Sequence, residues 1–460
     1  MARQSRHPVD ELLPAGRTAL LGLQHMSIMY AGSVAVPLIV GGALKLDKPA
    51  IGLLVNADLL VAGIATLIQA VGIGKILGIR LPVVAGATFS VVNPMIMIGA
   101  QYGMQAVYGA MIASGVFGLL IAKPFAKMIR FFPPLVSGTL LAVIGISLIG
   151  PGAAMIAGHD TQDPGYAAPS NIGLAFLVIA LLVLFTRTLR GFVGQLGPLL
   201  AVAIGLVVAI PMGLVHFDGV GSADWFGLAS PFHFGPPKFQ AAAIMSMCVV
   251  MLVTYTESTA DLLAVGEIVG RKPTDSDLAR GLATDGFSAV LGGVMNSFPD
   301  TAFAQNVGLV QMTGVRSRWV VACAGGILIV MGLVPKVGAF IAAVPEPVIG
   351  GVAVVMFAMV AAVGVQTLKK VEFNGNHNTF VVAVSIGVGM LPAVSLNPFG
   401  GSIFFKNFPD WLQIIVGSPI TITAIVAFSL NLLFNHLGAS RRAPSDAAPD
   451  PAPPVEAPHA

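Results

Sequence analysis

Leu81-Pro82-Val83-Val84-Ala85-Gly86-Ala87-Thr88-Phe89-Ser90 opens an apolar run over residues 82–100 that does not fit a plain spanning helix. Pro82 stands at its start and Pro94 lies inside it, and a proline in a helix interior removes a backbone hydrogen bond. A second run, 301–314, is short and carries Gln305 and Asn306. Both segments are expected to be extended stretches that lead into half-helices and still cross a membrane. Whether they cross decides the topology of everything after them.

The membrane itself follows from composition. Of 460 residues 56% are apolar and only 10% charged, against about 45–50% and about 25% in a soluble domain. The 54 glycines and 32 prolines have no three-residue period, which excludes collagen, and the hydrophobicity excludes general disorder. The net charge of +3 is spread along the chain and gives no nucleic-acid footprint. Cys248 and Cys323 lie in apolar runs and read as small core residues rather than a disulfide framework.

Fourteen apolar runs fall between 19–41 and 413–436 when the two irregular segments are included. With the N-terminus in the cytoplasm, nineteen of the 24 basic residues fall on the inside, among them Arg17, Lys75, Arg80, Arg271, Arg280, Arg316 and Arg318. Only Lys45, Lys48, Lys238, Lys336 and Lys406 fall outside. Dropping either irregular segment would invert every later loop and destroy this bias. The expected class is therefore an all-α polytopic membrane protein of 14 transmembrane segments, with extended stretches in segments 3 and 10.

Residues 1–18 form a cytoplasmic N-terminal segment on this account, 19–436 the transmembrane domain, and 437–460 a disordered cytoplasmic tail rich in proline. Pro134-Leu135-Val136-Ser137-Gly138 resembles Pro347-Val348-Ile349-Gly350-Gly351 at an offset of 213, and Thr88-Phe89-Ser90 resembles Ala302-Phe303-Ala304 at 214. Seven segments separate each pair, and an odd number of crossings reverses orientation. Two inverted repeats follow, at about 19–215 and about 240–436. Such repeats commonly place a substrate site near the midplane, where broken helices aim their positive N-terminal ends at a ligand.

Few polar residues lie at membrane depth. Asp58, Glu257, Asp261 and Asp285 do, and a charged side chain there costs about 2.5–3.5 kcal/mol on insertion scales, so it serves a pathway or relay by default. Glu257 and Asp261 are four residues apart and share one helix face; a carboxyl whose protonation changes with access is a natural proton coupler. The alternative for each is a polar contact between helices, and the same holds for His25, the one histidine firmly inside a span. No cluster has metal-ligand spacing. Gln305 and Asn306 offer side-chain amides, each with donors and an acceptor, suited to the edge of a cyclic imide such as a purine base. Phe89 or Phe303 could stack on a flat ring or simply pack.

Gln305-Asn306-Val307-Gly308-Leu309-Val310-Gln311-Met312-Thr313-Gly314 resembles the signature motif of the nucleobase-ascorbate transporter family. The similarity runs through Leu21-Gly22-Leu23-Gln24-His25-Met26, the Glu257 to Asp261 stretch and Ala283-Thr284-Asp285-Gly286, covering residues 15 to 436. It implies fourteen segments in two inverted repeats, core and gate domains, and a homodimer that moves by an elevator-like shift. It further implies that Glu257 and Gln305 hold the base, that Thr88 and Phe89 place a backbone amide and a ring against it, and that Ala304 and Phe303 adjoin it. Asn306 tunes selectivity, Asp285 and Asp261 belong with Glu257 to proton coupling, and His25 supports the site indirectly. Glutamine at 305 resembles the urate and xanthine branch, whereas uracil-type members carry glutamate there.

The function expected is a proton-coupled importer of an oxidised purine in the inner membrane, with both termini cytoplasmic, no cofactor and no enzymatic activity. The rivals are a uracil or other nucleobase permease of the same fold and an uncoupled anion carrier or channel. An anion site would want a basic residue near segment 3 or 10, and Arg316 and Arg318 fall in a loop.

Overall fold

The computed structural model describes residues 7–128, 133–158, 165–374, 377–394 and 403–437. Arg3, Arg6, Arg130, Arg441 and Arg442, and the tail beyond Leu437, lie outside them.

Among the described residues eight helices are long and apolar enough to cross a membrane: Ala15–Ala43, Lys48–Val71, Met104–Met128, Pro134–Ala157, Pro169–Thr188, Ala241–Val269, Glu346–Leu368 and Pro419–His436. The first is interrupted between Ser33 and Ala35, where Pro37 has no N–H to return to the Ser33 carbonyl. The run 318–343, expected as one segment, is instead a pair, Arg318–Gly332 and Pro335–Ala342, bent by 79°. Pro335 opens the second helix, a position where its missing N–H costs nothing. Gly197–Ala209 and Asn378–Val394 are shorter apolar helices, and Asp275–Met295 carries more polar residues.

The two irregular segments meet. Ala85–Ala87 and Asp300–Ala302 form an antiparallel two-stranded sheet with Ala85 opposite Ala302, Gly86 opposite Thr301 and Ala87 opposite Asp300. Each strand runs into a helix, through Phe89–Val91 to Val92–Tyr102 and directly to Ala304–Thr313. Flanking elements satisfy the remaining backbone groups, as buried polar groups require. The Ala87 N–H donates to the Ser33 hydroxyl at 3.0 Å and the Ala302 N–H to the Ser258 hydroxyl at 3.1 Å. The Ala85 N–H donates to Thr66 at 2.9 Å and the Asp300 N–H to Ser288 at 3.2 Å. The Thr88 N–H reaches Pro299 O at 3.0 Å and the Phe303 N–H Val84 O at 2.9 Å.

These bonds come in matching pairs, Ala87 with Ala302, Ala85 with Asp300 and Thr88 with Phe303, 215 residues apart in each case. The spacing is one residue more than the match of Thr88 to Ala302 expected. Thr88 thus corresponds to Phe303, each standing just before the first residue of its helix, and Phe89 to Ala304.

Around the strands Lys48–Val71 packs on the bent pair 318–342, and Met104–Met128 packs on Asp275–Met295. Both contacts are close because glycines line them: a Cβ at Gly63 would fall 2.7 Å from the Ile329 nitrogen, and one at Gly115 would fall 2.7 Å from that of Val290. Small residues of this kind let membrane helices approach without a hydrophobic driving force. A second bundle is built on Pro134–Ala157 against Glu346–Leu368, joined by Pro169–Thr188, Asn378–Val394 and Pro419–Asn431.

Charge is segregated. Arg318 pairs with Asp10 at 2.7 Å and caps the Ala70 carbonyl at 2.8 Å, and Arg271 approaches the same Asp10 at 3.8 Å. Lys336 instead holds the Val220 carbonyl at 2.9 Å and lies over the Trp225 ring.

Candidate functional site

A cavity of about 340 Å³ lies between the strand pair and the second bundle. One wall is polar: Thr88 and Phe89 follow the first strand, Phe303, Ala304 and Gln305 follow the second, and Glu257 and Asp261 come from one face of Ala241–Val269. The other wall is apolar, with Leu141 and Ile144 from Pro134–Ala157 and Met356, Met359, Val360 and Val363 from Glu346–Leu368. A flat heterocycle with a hydrogen-bonding rim suits this division.

Glu257 is the best-held polar group. Its Oε2 accepts from the Thr88 hydroxyl at 3.0 Å, and its Oε1 accepts from the Ser90 hydroxyl. An ionised carboxylate has about four acceptor positions, so two hydroxyls fix its plane and leave acceptors for N–H donors of a ligand. The Gln305 amide, half-buried on the same cavity, makes no hydrogen bond to a described residue and is free to meet a ligand edge. The starts of the two half-helices also adjoin the cavity, where first-turn N–H groups lack intrahelical partners and carry partial positive charge. The charged residues lining it are Glu257 and Asp261.

A family model described as a permease family matches residues 16–397. The chain belongs to that family, the nucleobase-ascorbate transporters, as its motif anticipated. The permease is 42% identical over 430 residues to the uric acid transporter UacT of Escherichia coli strain K12, covering 93% of this chain and 88% of that protein. It is 40% identical over 432 residues to the xanthine permease of Bacillus subtilis strain 168, covering 94% and 97%. Its fold is similar to the transmembrane domain of a cyanobacterial bicarbonate transporter, BicA, with a TM-score of 0.57 over 90% of this chain and 98% of that one. SLC26A9 gives 0.62 over 91% and 64%. At 12% identity these two share the fold alone.

Three of the expected residues of the permease do not line the cavity. Asn306 and His25 are buried together: the Asn306 Nδ2 donates to the His25 backbone carbonyl at 2.8 Å and lies 3.1 Å from His25 Nδ1. A carbonyl only accepts, so this atom is the amide nitrogen, and Nδ1 is assigned as acceptor with the ring proton on Nε2. The pair ties the Ala304–Thr313 half-helix to Ala15–Ser33. Asp285 is buried and accepts from the Gln69 amide at 3.2 Å.

The two aromatic candidates differ. Phe89 meets Phe357 edge-on at 5.3 Å between centroids, so it joins the two walls of the cavity. The Phe303 ring lies over Gly32 and Gly86, filling space a Cβ would take; packing is its main work. Sequence reasoning missed Ser90, Gln69 and Asp300. Ser90 follows Thr88 at a spacing of two in the break, which is the only local signal for it.

Proposed function

We propose that the permease imports an oxidised purine base, urate or xanthine, together with a proton. Glu257, held by Thr88 and Ser90 on the cavity that Gln305 also lines, is the observation that carries this. The carboxylate accepts ring N–H groups, Gln305 pairs with an amide edge, and Thr88, Phe89, Phe303 and Ala304 shape the polar wall. The relatives named for uric acid and xanthine support the substrate class, as does glutamine rather than glutamate at 305.

In this proposal the chain crosses the inner membrane fourteen times as two inverted repeats, about 19–215 and about 240–436, with both termini cytoplasmic. The three matching hydrogen-bond pairs at one offset support the repeats. The helices packed around the strand pair form a core, the second bundle forms the gate, and a homodimer anchors the gate while the core shifts. Asp261 and Asp285 join Glu257 in coupling, with His25 and Asn306 as support.

One proton moving across about 100 mV supplies about 2.3 kcal/mol; at about 1.4 kcal/mol per tenfold this sustains roughly 45-fold accumulation. Uptake of radiolabelled urate and xanthine into proteoliposomes under an imposed proton gradient tests the proposal. Uptake of neither purine would overturn the substrate assignment, and uptake indifferent to a protonophore would overturn the coupling.

A further inference from the structure

Three aspartates meet at the strand pair without lining the cavity. Asp58, Asp285 and Asp300 are 0%, 1% and 0% exposed. Asp58 accepts from the Ser33 hydroxyl at 2.8 Å, and Ser33 in turn holds the N–H of Ala87, the residue opposite Asp300 in the sheet. Asp300 is fixed through its backbone N–H to Ser288, one turn after Asp285, whose carbonyl accepts the Ser288 proton at 2.9 Å. The single Ser288 hydroxyl proton goes to the Asp285 carbonyl, and neither carboxyl oxygen of Asp300 has a hydrogen-bond partner among the described residues. Asp58 Oδ1 has none either.

Ser33 thus brings Asp58 to the strand position opposite Asp300, and Ser288 ties Asp300 to the turn of Asp285, so the three acids converge on the strand pair. A separate observation points to the same place. The Tyr255 hydroxyl is fully buried with no hydrogen-bond partner among the described residues and stands against Gly286, the residue after Asp285. The groups facing the cluster are thus Asp58 and Gln69 from Lys48–Val71, Asp285 and Ser288 from Asp275–Met295, Tyr255 and Ser258 from Ala241–Val269 and Ser33 from Ala15–Ser33. None is basic, and no described Lys, Arg or His pairs with these acids. Carboxylates buried together without a counter-ion do not all stay ionised.

We propose that the Asp58–Asp285–Asp300 cluster is a proton site separate from the purine cavity, and that Asp300 is the residue that makes it hold a proton. A carboxylate oxygen of the cluster takes the proton from water on one side of the membrane and returns it on the other, with no other bond made or broken. The inference rests on the proton-coupled reading above.

The test uses the full chain in proteoliposomes with radiolabelled xanthine and urate. Counterflow exchange at equal pH measures binding and movement; accumulation under an inward proton gradient measures coupling. Asp300→Asn is expected to keep exchange within about threefold of the unmodified protein and to lose gradient-driven accumulation, with Asp300→Glu restoring it. Asp58→Asn, which keeps an acceptor for Ser33, is expected to shift the pH midpoint of accumulation and serves as the deciding variant should Asp300→Asn fail to insert. Full accumulation by Asp300→Asn, or an unshifted midpoint in Asp58→Asn, overturns the inference. Accumulation that follows a sodium gradient at fixed pH overturns it too. If the unmodified protein itself ignores the proton gradient, the coupling reading has failed instead.

Discussion

Thr88 and Glu257 stand 169 residues apart in the chain and are joined by a hydrogen bond of 3.0 Å across the polar wall of the cavity. The bond links the start of one half-helix to the middle of a long helix, so the carboxylate is oriented by the break in the chain. Ser90, two residues further, completes the clamp on the other oxygen.

Ser90→Ala removes one donor from a half-buried carboxylate acceptor. Hydrogen bonds to charged groups contribute about 1.5–3 kcal/mol, so the KM for purine uptake is expected to rise tenfold or more, with surface abundance unchanged. Ser90→Thr keeps the hydroxyl and should recover part of the loss. Transport kinetics at matched expression check this, and an unaltered KM would remove Ser90 from the site.

Glu257→Gln keeps the shape of the side chain but exchanges a pure acceptor for an amide. One of the two hydroxyls of Thr88 and Ser90 can still donate to the remaining oxygen while the other turns to accept from the amide N–H, so folding and membrane insertion should persist. Proton-dependent uptake should be abolished. Normal accumulation in a variant that inserts normally would remove the role assigned to this residue.

Gln305→Glu replaces the free amide with a carboxylate. The amide donor that meets an imide carbonyl is lost, and the carbonyl faces a negative charge; an unmatched buried polar group costs about 1–3 kcal/mol. Urate and xanthine should compete for uptake at least tenfold less well. An unchanged inhibition profile across purines and pyrimidines would discard the edge-pairing model.

Much of this was legible in the chain because membrane depth makes polar residues rare. Glu257, Asp261 and Gln305 were conspicuous against apolar neighbours, and the structure places all three on one cavity. Proline and short length exposed the breaks near Pro82 and Gln305. Ser90 was not legible, since a hydroxyl inside a break is common and its acceptor lies 167 residues away. Asp300 sits at the edge of a short segment, where an acid is indistinguishable from a solvated loop residue until the strand pairing buries it. The bend at Pro335 was hidden because both of its arms are apolar, so hydropathy runs through it without a gap.

Stability offers a further check on the helix that carries Asp285. Thr274 and Asp277 form a reciprocal cap at its start: the Thr274 hydroxyl accepts from the Asp277 N–H at 3.2 Å, and the Asp277 carboxylate accepts from the Thr274 N–H at 3.0 Å. Burial works to raise the Asp277 pKa, but the two Thr274 bonds and the Arg280 and Arg271 charges outweigh it and hold the carboxyl below its usual value. A depressed carboxyl stabilises the folded state above the ordinary carboxylate range, and that contribution is lost as pH falls through the lowered value. Thr274→Ala is expected to cost about 1 kcal/mol at neutral pH, the usual effect of removing a cap, and Thr274→Ser to cost little. Because protonation of Asp277 breaks the same reciprocal pair, the difference in Tm between Thr274→Ala and the unmodified protein should shrink in acid. Thermal unfolding of the two purified proteins in detergent, followed from neutral pH downward, measures this directly. A difference that stays constant or widens in acid would show that the cap does not depend on the ionised Asp277.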